Sequence, residues 1–185
     1  MRQAHDLEDK RIGLGVTGGI AAYKSAALCR SLVRAGACVD ALLTPAATRF
    51  IAPLPFQCIT GRPVLVHPAD ADAGEIAALA AGLDLLIIAP LTANTLARLA
   101  LRLGGDVLVD VALATRAPLL LAPAMEPEMW QHPATRRHAA GLLERGATCV
   151  GPGEGRLASG AAGLGRMAEP HEILDRARRC LARAA

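Results

Sequence analysis

Residues 84–98 read DLLIIAPLTANTLAR. Leu85 to Ala89 is an unbroken apolar run of strand length, the pattern of a strand buried on both faces of a parallel sheet. Pro90 stops the run, and Thr92, Asn94 and Thr95 then crowd three small polar side chains into a turn. Leu96, Ala97, Leu99 and Ala100 follow at helical spacing. The unit is a strand, a polar elbow and a helix. In an open parallel sheet, ligands bind beyond the carboxyl ends of the strands, where helix N-termini offer N–H groups and a positive dipole end. Two threonines and an asparagine at that place fit a phosphate. They fit equally an ordinary N-cap made by Asn94 or Thr92, and the stretch by itself leaves both readings open.

Upstream, Arg11 to Val16 reads as a strand and Thr17, Gly18 and Gly19 as a tight turn. A helix follows from Ile20 to Ala35, with Ile20, Ala27, Leu28 and Leu32 as inward positions and Gly36 as its C-cap. The segment Gly13-Leu14-Gly15-Val16-Thr17-Gly18 contains GxGxxG, but the dinucleotide fingerprint needs its first glycine in the turn after the strand. Here Gly13 and Gly15 fall inside the strand. The second strand, Cys38 to Leu43, has Asp40 early and Thr44 at its carboxyl end, where a ribose diol would call for an acid. A hydroxyl at that end suits a phosphate, so a mononucleotide is favoured over NAD. Glycines kept only for close helix–sheet packing are the alternative for this turn. Three elbows, Thr17 to Gly19, Thr44, and Thr92 to Thr95, share one rim if the first strand and the Leu85 strand are neighbours.

The remaining elements alternate in the same way. A short helix with Ala47 and Phe50 precedes an irregular, proline-bearing stretch, residues 53–72, that holds a brief strand at Val64 to Val66. A helix at Gly74 to Ala81 leads into the central strand, and another spans Leu101 to Ala114 with an interruption near Gly104 and Gly105. Pro118 to Ala122 is a further buried strand, followed by a second polar elbow, Pro123 to Trp130. Thr135 to Arg145 reads as a helix closed by Gly146, Thr148 to Gly151 as the last strand, and Pro152 to Met167 as a long glycine-rich loop before a helix near Pro170. Strands alternating with helices give an α/β doubly wound parallel sheet with right-handed crossovers.

The chain has 185 residues, 52% of them hydrophobic, enough for one well-filled domain over 1–185. Aromatic residues make up 2% and the formal charge is +3, which leaves too few stacking platforms for single-stranded nucleic acid. Cys29, Cys38, Cys58, Cys149 and Cys180 are odd in number and form no CxxC pair, so they read as reduced thiols with no zinc site. Cys38 and Cys149 lie in apolar runs and read as small hydrophobes. Residues 1–10 form a polar leader, expected to be frayed. The N-terminus has no apolar core for a secretory signal, and no apolar run approaches membrane-spanning length. The expected location is cytoplasmic, with no membrane and no nucleic-acid partner.

Five long motifs carry a family resemblance: GVTGGIAAYK (15–24), TPAATRF (44–50), IAPLTANTLARLA (88–100), APAMEPEMWQHPATRRH (122–138) and GPGEGRLASGAAGLGRMAEPHEI (151–173). They resemble the homo-oligomeric, flavin-containing cysteine decarboxylases of the flavoprotein family, in particular the branch acting on phosphopantothenoylcysteine, over residues 11–175. The resemblance implies a Rossmann-like, three-layer α/β/α sheet of the flavoprotein type, bound FMN, a small-molecule substrate, and self-association into a homotrimer or homododecamer. The implied cofactor positions are Thr17, Gly18, Gly19 and Ile20 from the first turn, Thr44 from the second, and Pro90, Thr92, Asn94 and Thr95 from the elbow. Ala89, Ala124 and Met125 would line the ring.

Three positions depart from the family pattern. Glu126 stands where the decarboxylases carry an asparagine that holds the substrate carboxylate, Glu75-Ile76 is the nearest match to a His-Ile pair, and Ser159 replaces a redox cysteine in the loop 152–168, which reads as a flexible flap. A carboxylate beside a carboxylate repels it or forces a proton onto one of the two. Glu126, Glu75 and Ser159 are therefore the candidate catalytic positions of a flavin-dependent enzyme on a small thiol or carboxylate, with the ancestral decarboxylation in doubt. Each also has a plain reading: Glu126 as a helix-start carboxylate, Glu75 as a solvated helix residue, and His132 and His138 as structural. The alternative function is a non-catalytic FMN electron carrier or regulatory subunit.

Overall fold

The computed structural model describes residues 6–184. Its strands are β1 (Arg11–Val16), β2 (Cys38–Leu43), β3 (Leu85–Leu91), β4 (Leu119–Pro123) and β5 (Thr148–Cys149), all parallel in the order β2-β1-β3-β4-β5. The helices are α1 (Tyr23–Arg34), α2 (Leu54–Thr60), α3 (Ala73–Ala81), α4 (Ala93–Leu101), α5 (Val107–Ala114), α6 (Pro127–Gln131), α7 (Pro133–Glu144) and α8 (Pro170–Ala184). A separate antiparallel pair, β6 (Gly153–Arg156) and β7 (Ala162–Arg166), forms a hairpin.

All seven residues of β3 are buried, because helices cover both faces of the sheet. Leu85, Ile87 and Ala89 face the side packed by Leu28 and Leu32 of α1 and by Ile173 and Ala177 of α8. Leu86, Ile88 and Leu91 face Leu79 of α3, Leu96 and Leu99 of α4, Leu108 of α5 and Leu142 of α7. Each such side chain withdrawn from water contributes about 1.5–3 kcal/mol before the entropy of ordering it is charged. This is the expected three-layer, doubly wound α/β fold.

The strand glycines have a packing reason. A Cβ on Gly15 would lie 2.3 Å from Leu108 Cδ1, and one on Gly13 2.8 Å from Leu86 Cδ1. Gly15 lets α5 approach β1 and Gly13 makes room for the side chains of Leu86 on β3 and Leu83 before it, so GxGxxG is not a dinucleotide turn here. Local chemistry sets the helix ends: Asp72 and Glu75 form a reciprocal capping box on α3, Asp106 caps α5 through Val109 N at 2.9 Å, and Gly36 follows α1 at φ 101°.

Several sequence expectations are corrected. The leader is packed from residue 6: Leu7 is 2% exposed, its N–H donates to Ala35 O at 2.9 Å, and Arg178 pairs with Asp6 at 2.6 Å. Residues 1–5 lie outside the described residues. The first helix divides into a 3-10 turn at Ile20–Ala22 and α1, and Ile20 and Ala27 are exposed while Ser25 and Cys29 point inward. β3 runs through Pro90 to Leu91 with a register shift between Ile88 and Leu91, so the elbow starts at Thr92. Val64 to Val66 makes no strand, only a bridge from Leu65 to Leu42, and α2 occupies part of that irregular stretch. The last strand of the main sheet stops at Cys149, and the glycine-rich loop after it is the β6–β7 hairpin. Cys38, at the start of edge strand β2, is exposed rather than a core hydrophobe. No helix among the described residues is long and apolar enough to cross a membrane.

Candidate functional site

β1 and β3 are hydrogen-bonded neighbours, and the chain leaves β1 to build β2 on one side before returning to build β3 on the other. Such a reversal opens a crevice at the carboxyl ends of the strands. The register shift near Pro90 takes the last carbonyls of β3 out of the regular ladder, and hydroxyls replace the lost partners. Ser25 Oγ donates to Ala89 O at 2.6 Å and Thr17 Oγ1 to Pro90 O at 2.8 Å. Thr17 Oγ1 also accepts from Thr92 N at 3.1 Å, so one buried side chain ties the first turn to the elbow.

Thr44, at the tip of β2, accepts from Ala47 N at 3.3 Å. A Cβ on Gly18 would lie 2.6 Å from Ala46 Cβ and 2.9 Å from Ala46 O, so this glycine lets the first and second turns touch. Thr92 takes the N-cap position of α4 in extended conformation, yet its side chain makes no cap bond, and Asn94 sits inside the helix. The N-cap alternative for these two side chains is thereby set aside.

A cavity of about 680 Å³ opens over this rim. Gly18, Gly19, Thr44, Thr92, Asn94 and Thr95 form its polar floor. Ile20, Ala124, Met125, Met129, Leu157 and Met167 supply an apolar lining, and Lys24, Arg98, Asp106, Glu126, Arg156 and Arg166 supply charge. Thr17, Ala89 and Pro90, placed at the cofactor by the sequence, are not among the lining residues; they hold the rim from beneath.

Most of the charges are committed. Lys24 Nζ donates to Glu169 Oε1 at 2.8 Å and Arg166 pairs with the same oxygen. The Lys24 hydrogen bond, against a smaller opposing effect of burial, holds the Glu169 carboxyl below its ordinary range. Arg98 lies 3.6 Å from Asp106 and donates to the carbonyls of Leu103 and Gly104. Arg156 makes no ion pair among the described residues. Glu126, at the N-cap position of α6, leaves that helix uncapped by its side chain and instead accepts from Ser159 Oγ at 2.8 Å.

That bond seats the hairpin against the cavity. Met125 N donates to Gly165 O at 3.1 Å, and a Cβ on Gly165 would fall 2.0 Å from Met125 O. The glycines that made the segment look like loose loop are what allow β7 to lie on the turn after β4. Glu126 and Ser159 are thus brought together, and Glu75 is not. Its carboxylate accepts from Asp72 N at 2.8 Å on the exposed start of α3, outside the cavity lining.

Lys24, Arg98, Asp106, Arg156 and Arg166 were missed by the sequence reading. Only Lys24 carried a signal: it lies four residues before Leu28 and eight before Leu32, a cation on the apolar stripe of α1.

A family model described as Flavoprotein matches residues 1–181. The coenzyme A biosynthesis bifunctional protein CoaBC of Vibrio cholerae is 46% identical over 172 residues, which cover 91% of this chain and 43% of that protein. The chain therefore spans less than half the length of this curated relative. Among solved structures, a PPC decarboxylase with a cysteine-to-serine mutation, complexed with pantothenoylaminoethenethiol, superposes with a TM-score of 0.82 at 34% identity over 92% of this chain and 97% of that one. The FMN-dependent cysteine decarboxylase SpaF superposes with a TM-score of 0.82 at 28% identity over 96% and 98% of the two chains.

Proposed function

The chain belongs to the Flavoprotein family, and from that premise we propose that its cavity holds FMN and that it is a flavin-dependent enzyme acting on a small thiol or carboxylate substrate. The observation that carries the reading is the convergence of three hydroxyl-bearing turns at the point where the sheet reverses its winding, the first tied to the elbow through Thr17 and packed on the second at Gly18. Thr44, Thr92, Asn94 and Thr95, with the first turn of α4, are a donor set suited to a phosphate. Gly18 and Gly19 form the close cradle beside it, where a Cβ would meet Ala46 or Thr92. The apolar side chains of Ile20, Met125, Leu157 and Met167 suit a flat ring, and the cavity volume falls within the roughly 300–1,000 Å³ of small-molecule sites. When bound, FMN would take up an electron pair from the substrate.

Glu126 is the residue to act as acid, base or cation ligand, with Ser159 orienting its carboxylate. Decarboxylation of an N-acylated cysteine is disfavoured, because Glu126 would face the substrate carboxylate with like charge. The apolar Ile20 and Tyr23, 62% and 63% exposed beside the cavity, support self-association into trimers or larger assemblies of them. A non-catalytic FMN carrier or regulatory subunit is the second reading, favoured by the commitment of Glu75 to the α3 cap. The test joins mass spectrometry of the released ligand to a turnover assay: Glu126→Gln should keep FMN and abolish turnover. Unchanged turnover removes that role from Glu126, and FMN without turnover on any thiol or carboxylate supports the second reading.

A further inference from the structure

Among the described residues six charged side chains line the cavity, and four of them have a charged partner inside the protein: Lys24 and Arg166 share Glu169, and Arg98 and Asp106 face each other. The two left over are of opposite sign, Glu126 after β4 and Arg156 on β6. They do not pair with each other, although they line the same cavity and Ser159, which bonds to Glu126, lies only three residues beyond Arg156. Ser159 uses one acceptor site on Oε2, and a carboxylate has about four, so Glu126 remains able to take further donors. Arg156 presents a forked guanidinium shaped for a carboxylate.

We propose that Glu126 and Arg156 select a zwitterionic ligand, an amino acid with a free ammonium group for Glu126 and a free carboxylate for Arg156. This rests on the flavin-site reading and names the substrate class for it. An N-acylated cysteine offers only the carboxylate, leaves Glu126 unanswered and sets two like charges in one cavity. A free amino acid answers both charges at once. The departure that the resemblance implies at Glu126 is then a change of specificity, from an amide-linked to an amine-bearing substrate.

The FMN-loaded protein is titrated calorimetrically with three probes: L-methionine, N-acetyl-L-methionine, which lacks the ammonium group, and L-methioninol, which lacks the carboxylate. Methionine should bind about 10- to 100-fold more tightly than either analogue, the worth of one charged hydrogen-bonding group. Glu126→Gln should erase the preference over N-acetylmethionine and keep the preference over methioninol, and Arg156→Gln should do the reverse. N-acetylmethionine binding as tightly as methionine, no binding of any probe at millimolar concentration, or a Glu126→Gln protein with unchanged preference would overturn the proposal. Flavin retention, read by absorbance in the same samples, separates the two claims. Protein that holds FMN without these preferences sinks only the zwitterion, whereas protein that takes up no FMN sinks the cofactor reading.

Discussion

Ser159 donates its hydroxyl proton to Glu126 Oε2 across 2.8 Å, joining the tip of the β6–β7 hairpin to the turn after β4. Two of the candidate positions read from the sequence are thus one contact, and the hairpin it holds supplies Arg156, Leu157 and Arg166 to the cavity.

The contact should steady the hairpin. A typical intramolecular hydrogen bond contributes about 0.5–1.5 kcal/mol net, and for this solvent-exposed one Ser159→Ala should speed amide exchange in Gly153–Arg156 and Ala162–Arg166 by roughly 2- to 10-fold. Exchange in β3 should not change. Equal hairpin rates in the two proteins would show that the Ser159 bond does not restrain it.

Thr17 is completely buried and serves two backbone groups at once. Thr17→Val keeps the shape and strands Pro90 O and Thr92 N, a loss of about 2–3 kcal/mol. For a domain of this size that lowers Tm by about 4–12 °C. Thr17→Ser should restore most of the loss. If Val melts like wild type, the first turn and the elbow are not held by this hydroxyl.

The central strand and its elbow could be read from sequence because Leu85–Leu91 is apolar on both faces and polar immediately afterwards, a pattern few other arrangements produce. The charged lining could not. Arg98 and Asp106 meet across a break between α4 and α5, and Lys24 meets Glu169 over 145 residues of sequence, so no local period marks them. The hairpin was hidden for another reason. Gly153, Gly155, Gly163 and Gly165 depress strand propensity, yet Gly163 and Gly165 are required where β7 meets Pro127 and Met125. Thr17 was read as a ligand because hydroxyls in a turn look alike, whether they face a cavity or bond beneath it.

The Lys24–Glu169 pair carries a pH signature. The folded-state pKa of Glu169 is held below its ordinary 4.5, so its stabilising contribution is full above that value and is lost as pH falls through the folded pKa. Asp6, beside Arg178, and Asp70, bonded by the His67 and Val66 N–H groups, act in the same direction. Lys24→Met should therefore lower the urea midpoint at neutral pH, and the gap to wild type should narrow below about pH 4.5. A gap that stays constant with pH would contradict the linkage.

The thiols should separate by burial. Burial pushes Cys29 up to about 12 and Cys149 up to about 11, from an ordinary 9.0. At a given mildly alkaline pH this leaves about a thousandfold less thiolate at Cys29. Iodoacetamide at pH 8 should label the exposed Cys38 and Cys58 first, Cys149 more slowly, and the buried Cys29 and Cys180 only after unfolding. Cys29 labelled as fast as Cys58 would be inconsistent with the packing of α1 on the sheet.

The most direct test of the hydroxyl-lined rim compares FMN with riboflavin, which has the ring and lacks the phosphate. Titrated into flavin-free protein and followed by flavin fluorescence, FMN should bind at least about 100-fold more tightly than riboflavin, the worth of several charge-assisted hydrogen bonds to one phosphate. Equal affinity for the two, or no binding of FMN, would contradict the account.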